Sequence, residues 1–221
     1  MRDLLVVTPT RGRPERIMRL ASSINRTATA KTDLIVGLDD DDDTAAEVIE
    51  ALKPYGVQCM RGPRAGLGPW SNTLVQAGFG DYKAYASLGD DHVPRTLGWD
   101  AECLSQLDEM GGGYVVPNGL LSPGLPEQVV ISATVVEALG WLCLPGLDHW
   151  YVDRAWYDLA TITQRYRWLD RIMVEHWQDP SDQTGADAWT TLEADRHVYA
   201  TWLGSEQFAA DVATVRKAIG A

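Results

Sequence analysis

The chain has 221 residues and a mass of 24.3 kDa, with 45% apolar and 23% charged residues. This usage is that of a globular domain and excludes a disordered chain, a collagen and a coiled coil. A net charge of −12 argues against a dedicated duplex binder, whose affinity rests on neutralising phosphates. No apolar run reaches the roughly 18 residues of a membrane span. The apolar stretch at the N-terminus is too short for a secretory signal and is followed at once by charge, so a cytoplasmic protein is expected. Cys59, Cys103 and Cys143 are scattered and form no CxxC pair, which suits reduced thiols and gives no zinc site.

In chain order, residues 3–8 (DLLVVT) are a short buried strand, ended by PTRGRP. Ile17, Leu20, Ala21 and Ile24 then recur at helical spacing behind Pro14, a good first-turn residue. Residues 33–38 are a second strand, followed by Asp39–Asp43 and a helix, TAAEVIEAL. Residues 56–60 suggest a short third strand. GPRAGLGPWSN reads as a loop, with Ser71 or Asn72 capping the helix SNTLVQAGF. Residues 83–88 are a further strand, ending in GDDHVP. WDAECLSQLDEM is helical and GYVVPNG is extended.

The second half is less regular and rich in aromatic residues. VVISATVVEALGWL fits strand or helix, HWYVDRAWYDLATITQRY reads as helix and RWLDRIMVEHW as strand. Beyond Asp179-Pro180 the composition turns polar, and a helical tail is expected from Asp187. The alternation over the first 120 residues predicts an α/β fold: a mostly parallel, Rossmann-like sheet with helices on both faces. Ligands in such folds bind beyond the carboxyl ends of the strands. TPTRGRP, DDDDD and GDDHVP all fall there.

Asp90 and Asp91, adjacent at a strand end, suit a hard divalent cation, while an isolated pair of this kind is more often a solvated turn. In the run Asp39–Asp43, Asp39 is the member expected to face the cleft, and Asp41 to Asp43 read as a solvated acidic loop. Thr8, Thr10, Arg11 and Arg13 bring hydroxyls and guanidinium forks to a helix start, which suits diphosphate oxygens. His176 is a candidate metal ligand, with His92 competing for that role. Asp148 and Asp153 are candidate general bases, although taken alone they read sooner as surface helix aspartates.

Together these segments resemble the GT-A-fold nucleotide-sugar glycosyltransferases, above all the large inverting group and its small bacteriophage and actinobacterial members. VVTPTRGRPERIMRLASSI is similar to that family's nucleotide-contacting strand, loop and helix, and LIVGLDDDD to its second strand. YASLGDDHVP stands where the family has its DxD metal motif, and reads Asp-Asp-His instead. HWYVDRAWYDLA resembles the segment that carries the base, without the usual Glu-Asp pair, and EHWQDP resembles the late segment that supplies a histidine ligand.

The resemblance implies one glycosyltransferase domain over 1–221: a nucleotide-sugar half (1–120), an acceptor-side half (121–180) and a helical tail (181–221). It implies a nucleoside diphosphate sugar donor, with UDP-sugar foremost, held by Thr8, Thr10, Arg11, Arg13, Asp39, Arg61, Asn72 and Asp90. Mn2+ or Mg2+ would be held by Asp91 with Asp90 and His176, and Asp153 or Asp148 would be the base in an inverting displacement. Trp150, Trp156 and Trp177 are candidates for stacking on sugars, although aromatic residues at helical spacing are usually core. The acceptor is left as a phage or host protein, a glycan or a modified DNA base. Two rivals remain: a nucleotidyltransferase acting on a sugar phosphate, whose Gly-rich opening TPTRGRP lacks, and an inactive binding domain of the same fold.

Overall fold

The computed structural model describes residues 1–177 and 188–220. Its strands are β1 (Arg2–Thr10), β2 (Thr32–Asp39), β3 (Gln58–Gly62), β4 (Tyr82–Ser87), β5 (His92–Pro94), β6 (Tyr114–Asn118), β7 (Val129–Ser132) and β8 (Tyr166–His176). Its helices are α1 (Pro14–Thr27), α2 (Ala45–Leu52), α3 (Leu67–Gln76), α4 (Trp99–Met110), α5 (Ala133–Leu139), α6 (Val152–Ile162), α7 (Leu192–Leu203) and α8 (Glu206–Ala218).

The strands form one sheet in the order β3-β2-β1-β4-β7-β6-β8-β5. β1, β2, β3 and β4 run parallel, β7 is antiparallel to β4 and β6, and β5 is antiparallel to β8. This is the expected mostly parallel sheet. Alternation along β1 divides the core: Leu4 and Val6 face α1, α2 and α4, while Leu5 and Val7 face α3, α5 and α6. A strand buried on both faces reads as an unbroken apolar run, as LLVV does. Thr10 pairs with Leu38 and Val7 with Ser87, so β1, β2 and β4 end along one edge.

Several expectations need correction. α3 begins at Leu67, inside the stretch read as loop, with Gly66 as its N-cap, so Ser71 and Asn72 lie within the helix and do not cap it. Gly68 permits the early start: a Cβ there would meet the Leu147 carbonyl oxygen at 2.2 Å. The third strand sits two residues later than expected, and His92–Pro94, read as loop, is β5. The ambiguous segment after residue 128 is strand and then helix. The aromatic helix is confined to Val152–Ile162. In the tail, α7 and α8 are helical, while Asp179, Pro180 and Asp187 lie outside the described residues. Among the described residues no helix is long and apolar enough to cross a membrane.

Candidate active site

At the carboxyl edge of the sheet, Asp90 follows β4. The Thr10 hydroxyl donates to its Oδ2 at 2.6 Å and Arg13 Nη1 to its Oδ1 at 3.0 Å. Burial raises this carboxyl, against the pull of Arg13 and Thr10. The expected donor residues Thr10, Arg13 and Asp90 are thus one buried cluster. Asp39 has a similar role at the end of β2. It accepts from Arg11 Nη1 at 3.0 Å, from the Trp70 indole at 2.7 Å and from the Ala65 amide at 3.2 Å. Both its oxygens are occupied and it is 3% exposed, so it braces the loops and does not present a free carboxylate to the cleft.

The run after Asp39 is only partly solvated. Asp42 is buried, accepting from the Gly12 amide at 3.0 Å and from both the Thr44 amide and hydroxyl, which corrects its reading as a surface charge. Asp41 is exposed but accepts from Arg11 at 2.5 Å, and Arg61 reaches back to Asp40 at the rim. Two expected donor contacts fall elsewhere. Thr8 is fully buried within β1, two residues short of its end. Asn72 staples α3 to the segment before α6: its Oδ1 accepts from the Leu142 and Cys143 amides and its Nδ2 donates to the Cys143 carbonyl, each at 2.8 Å.

Asp91 faces the other way from Asp90. Antiparallel register opposes His92 of β5 to His176 of β8. The two rings stack at 4.3 Å with 14° between planes. Trp177 donates its backbone N–H to the Asp91 carbonyl at 2.9 Å, and His176 its own to Gly119 at 3.0 Å. His176 Nε2 therefore lies 3.5 Å from Asp91 Oδ2, and its Nδ1 lies 3.8 Å from Glu127 Oε2. Burial alone would lower the His176 pKa, but the Asp91 and Glu127 carboxylates raise it to about 9. Desolvation would raise the Asp91 carboxyl, but the His176 ring beside it holds it well below the carboxylate range.

Asp91, His92 and His176 offer ligand atoms within 4.8 Å of one another. His92 is nevertheless not free to ligate. Its Nδ1 accepts from the Gly89 amide at 2.8 Å and its Nε2 meets Gln128 Oε1 at 3.1 Å. The Gln128 amide nitrogen donates to the Pro117 carbonyl, which turns its oxygen to the ring and puts the His92 proton on Nε2. Asp90, expected as a ligand, lies outside this group because Thr10 and Arg13 hold both its oxygens. Asp91 and His176 remain. Carboxylate with imidazole is a donor set that suits Mn2+, and His176 Nδ1 and Glu127 Oε2 are buried without a hydrogen-bond partner.

Across the cleft, residues 148–150 are held by Asp195 of α7, which accepts from the amides of Asp148, His149 and Trp150 at 2.8, 2.9 and 2.8 Å. Desolvation lowers the pKa of His149 on this loop, against the charges of Asp148 and Asp195. Asp148 packs on Gly66, where a Cβ would meet its carboxylate. Asp153 lies in the first turn of α6, and burial raises its carboxyl above the ordinary value. Trp156 is core, donating to the Leu142 carbonyl. Trp150 tilts against Trp189 at 4.4 Å, and Trp177 lies 4.2 Å beneath the Arg19 guanidinium. Glu127, Gln128, His149 and Asp195 carry no motif that the sequence could have shown. The Glu127–His176 and Asp195–loop contacts exist only once distant segments pack.

No family model matches the chain, and no curated protein matches it. Solved structures do. The chain is similar to S. aureus TarS 1-349 in complex with UDP (TM-score 0.64, 12% identity), covering 98% of this chain and 70% of that one. Of the longer TarS structure it spans 43%. The mannosyltransferase PcManGT from Pyrobaculum calidifontis, in complex with GDP-Man and Mn2+, matches at a TM-score of 0.63 and 13% identity, with 98% of this chain and 71% of that chain covered. Glucosyl-3-phosphoglycerate synthase from Mycobacterium tuberculosis, in complex with Mn2+, UDP-glucose and phosphoglyceric acid, matches at 0.63 and 14%, with 99% and 80% covered. The chain has the fold of the GT-A glycosyltransferases.

Proposed function

We propose that this chain is a metal-dependent glycosyltransferase that moves a sugar from a nucleoside diphosphate sugar to an acceptor hydroxyl, with inversion by direct displacement. The observation that carries the reading is the meeting of Asp91 and His176 beside the buried Thr10–Asp90–Arg13 cluster at the carboxyl edge of a GT-A sheet. The same fold in nucleotide-sugar complexes supports it. Residues 1–120 form the donor half, 121–180 the acceptor side, and the tail secures the acceptor loop through Asp195.

Asp91 and His176 would hold Mn2+ or Mg2+, which when bound supplies positive charge against a leaving diphosphate. Arg11, Arg13 and Arg61 line the donor side and add fixed positive charge there. Asp153 takes the proton of the acceptor hydroxyl as the oxygen attacks the anomeric carbon. The bond from that carbon to the diphosphate oxygen breaks, and nucleoside diphosphate leaves with the electron pair. Asp153 is chosen over Asp148 because its raised pKa makes it the better base, while Asp148 packs on Gly66. The donor is taken as a UDP-sugar.

The test is a screen of nucleotide sugars with Mn2+, with and without EDTA, reading thermal shift and nucleoside diphosphate release together. One donor should stabilise the protein and release its nucleotide in a metal-dependent way, and Asp91→Ala should abolish both effects. Absence of any shift with every donor, in folded protein, would leave a binding domain of the same fold.

A further inference from the structure

The His176 ring is held from both sides, and one of those contacts has no part in the transfer chemistry above. Glu127 and Gln128 are consecutive residues leading into β7. Gln128 meets the ring of His92. Glu127 meets the ring stacked upon it, His176. Two neighbouring residues of the bend before β7 thus address the two members of a histidine stack. Gly119 makes room for this: a Cβ there would lie 2.1 Å from Glu127 Oε2. Glu127 Oε2 and His176 Nδ1 face each other at 3.8 Å, both buried and both without a hydrogen-bond partner among the described residues, so a small closing movement would join them.

A histidine that ligates a metal through one ring nitrogen is oriented by what the other donates to, and a carboxylate is the usual partner. Resting on the metal reading of the site, we propose that Glu127 is a positioning residue: it accepts the Nδ1 proton of His176 and so aims Nε2 at a divalent cation shared with Asp91.

The experiment titrates Mn2+ into the full chain at fixed UDP, with free Mn2+ read by electron paramagnetic resonance. The variants are Glu127→Ala, Glu127→Met, Glu127→Gln and, as a site control, Asp91→Ala. Circular dichroism and Tm report whether each is folded. Glu127→Ala and Glu127→Met should weaken Mn2+ binding by about tenfold to a hundredfold. Glu127→Gln keeps an acceptor oxygen and should restore most of the affinity. Glu127→Met fills the same volume and decides the matter should the alanine variant fail to fold. A folded Glu127→Met that binds Mn2+ within about twofold of the parent overturns the positioning role and leaves the site intact. A parent that takes up no Mn2+ overturns the metal reading, and Glu127's role with it.

Discussion

A carboxylate forced to ionise where water is scarce weakens the fold that holds it. Asp153 is such a group, because its folded-state pKa lies above the ordinary value of 3.8. The folded chain then binds the proton more tightly than the unfolded one, so stability from this group is present in acid and is lost as pH rises through the raised pKa. At neutral pH, Asp153→Asn should raise Tm while reducing sugar transfer by at least a hundredfold, the low end for loss of a general base. Differential scanning calorimetry and a transfer assay together check this. In the parent, the acid limb of kcat/KM should fall at a pH above that of an unperturbed aspartate. Burial raises the Asp90 carboxyl too, but this carboxylate is tied to Thr10 and Arg13. Asp90→Ala removes that shared acceptor and should cost about 3 kcal/mol in urea unfolding. At this scale, the places of Asp91 and His176 at strand ends were legible because strand ends can be read from hydrophobic runs. Thr8 was not: β1 runs two residues past the apolar stretch, and a polar residue inside a doubly buried strand looks like one at its end. Asp39 ends β2 as expected, but its partners Ala65 and Trp70 come from the loop before α3 and from the first turns of that helix, whose path no local pattern gives.

Elements were read well where periodicity is strong, as in α1, α4 and the parallel strands. They were misread where a few residues in tertiary context override propensity. β5 has three residues and exists because β8 lies beside it, with the Ser23 hydroxyl donating to the Pro94 carbonyl from α1. α3 starts within a Gly/Pro-rich stretch because Gly68 can approach the Leu147 carbonyl and its own amide donates to Asp148 O at 2.9 Å. Gly68→Ala should therefore destabilise the fold by about 2 kcal/mol or more even though alanine favours helix, since the obstacle is backbone and cannot swing aside. Chemical denaturation measures it. Asn72→Ala removes three hydrogen bonds between α3 and residues 142–143, and leaves two buried amides unmatched. A loss of about 2–4 kcal/mol follows.

At the scale of the molecule, the C-terminal helices reach back to the loop before α6 through Asp195, with Tyr199 stacked on Tyr151 beside it. Asp195 is 1% exposed and gathers three successive amides of the loop before α6. In Asp195→Ala, the amides of residues 148–150 should exchange with solvent far faster than in the parent, while those of β1 and β2 stay protected. Hydrogen exchange with mass spectrometry reads both segments in one sample. The engagement of His92 by Gly89 and Gln128 has a further reach. On the proposed function it leaves, of the three residues grouped here, two to offer a cation that prefers about six ligands. The remaining places would fall to water or to an anion in the cleft. Cation and nucleotide would then be each other's ligands as much as the protein's, and linkage would make their mutual enhancement equal in both directions. Neither would have a single dissociation constant: each affinity would be a function of the other's concentration.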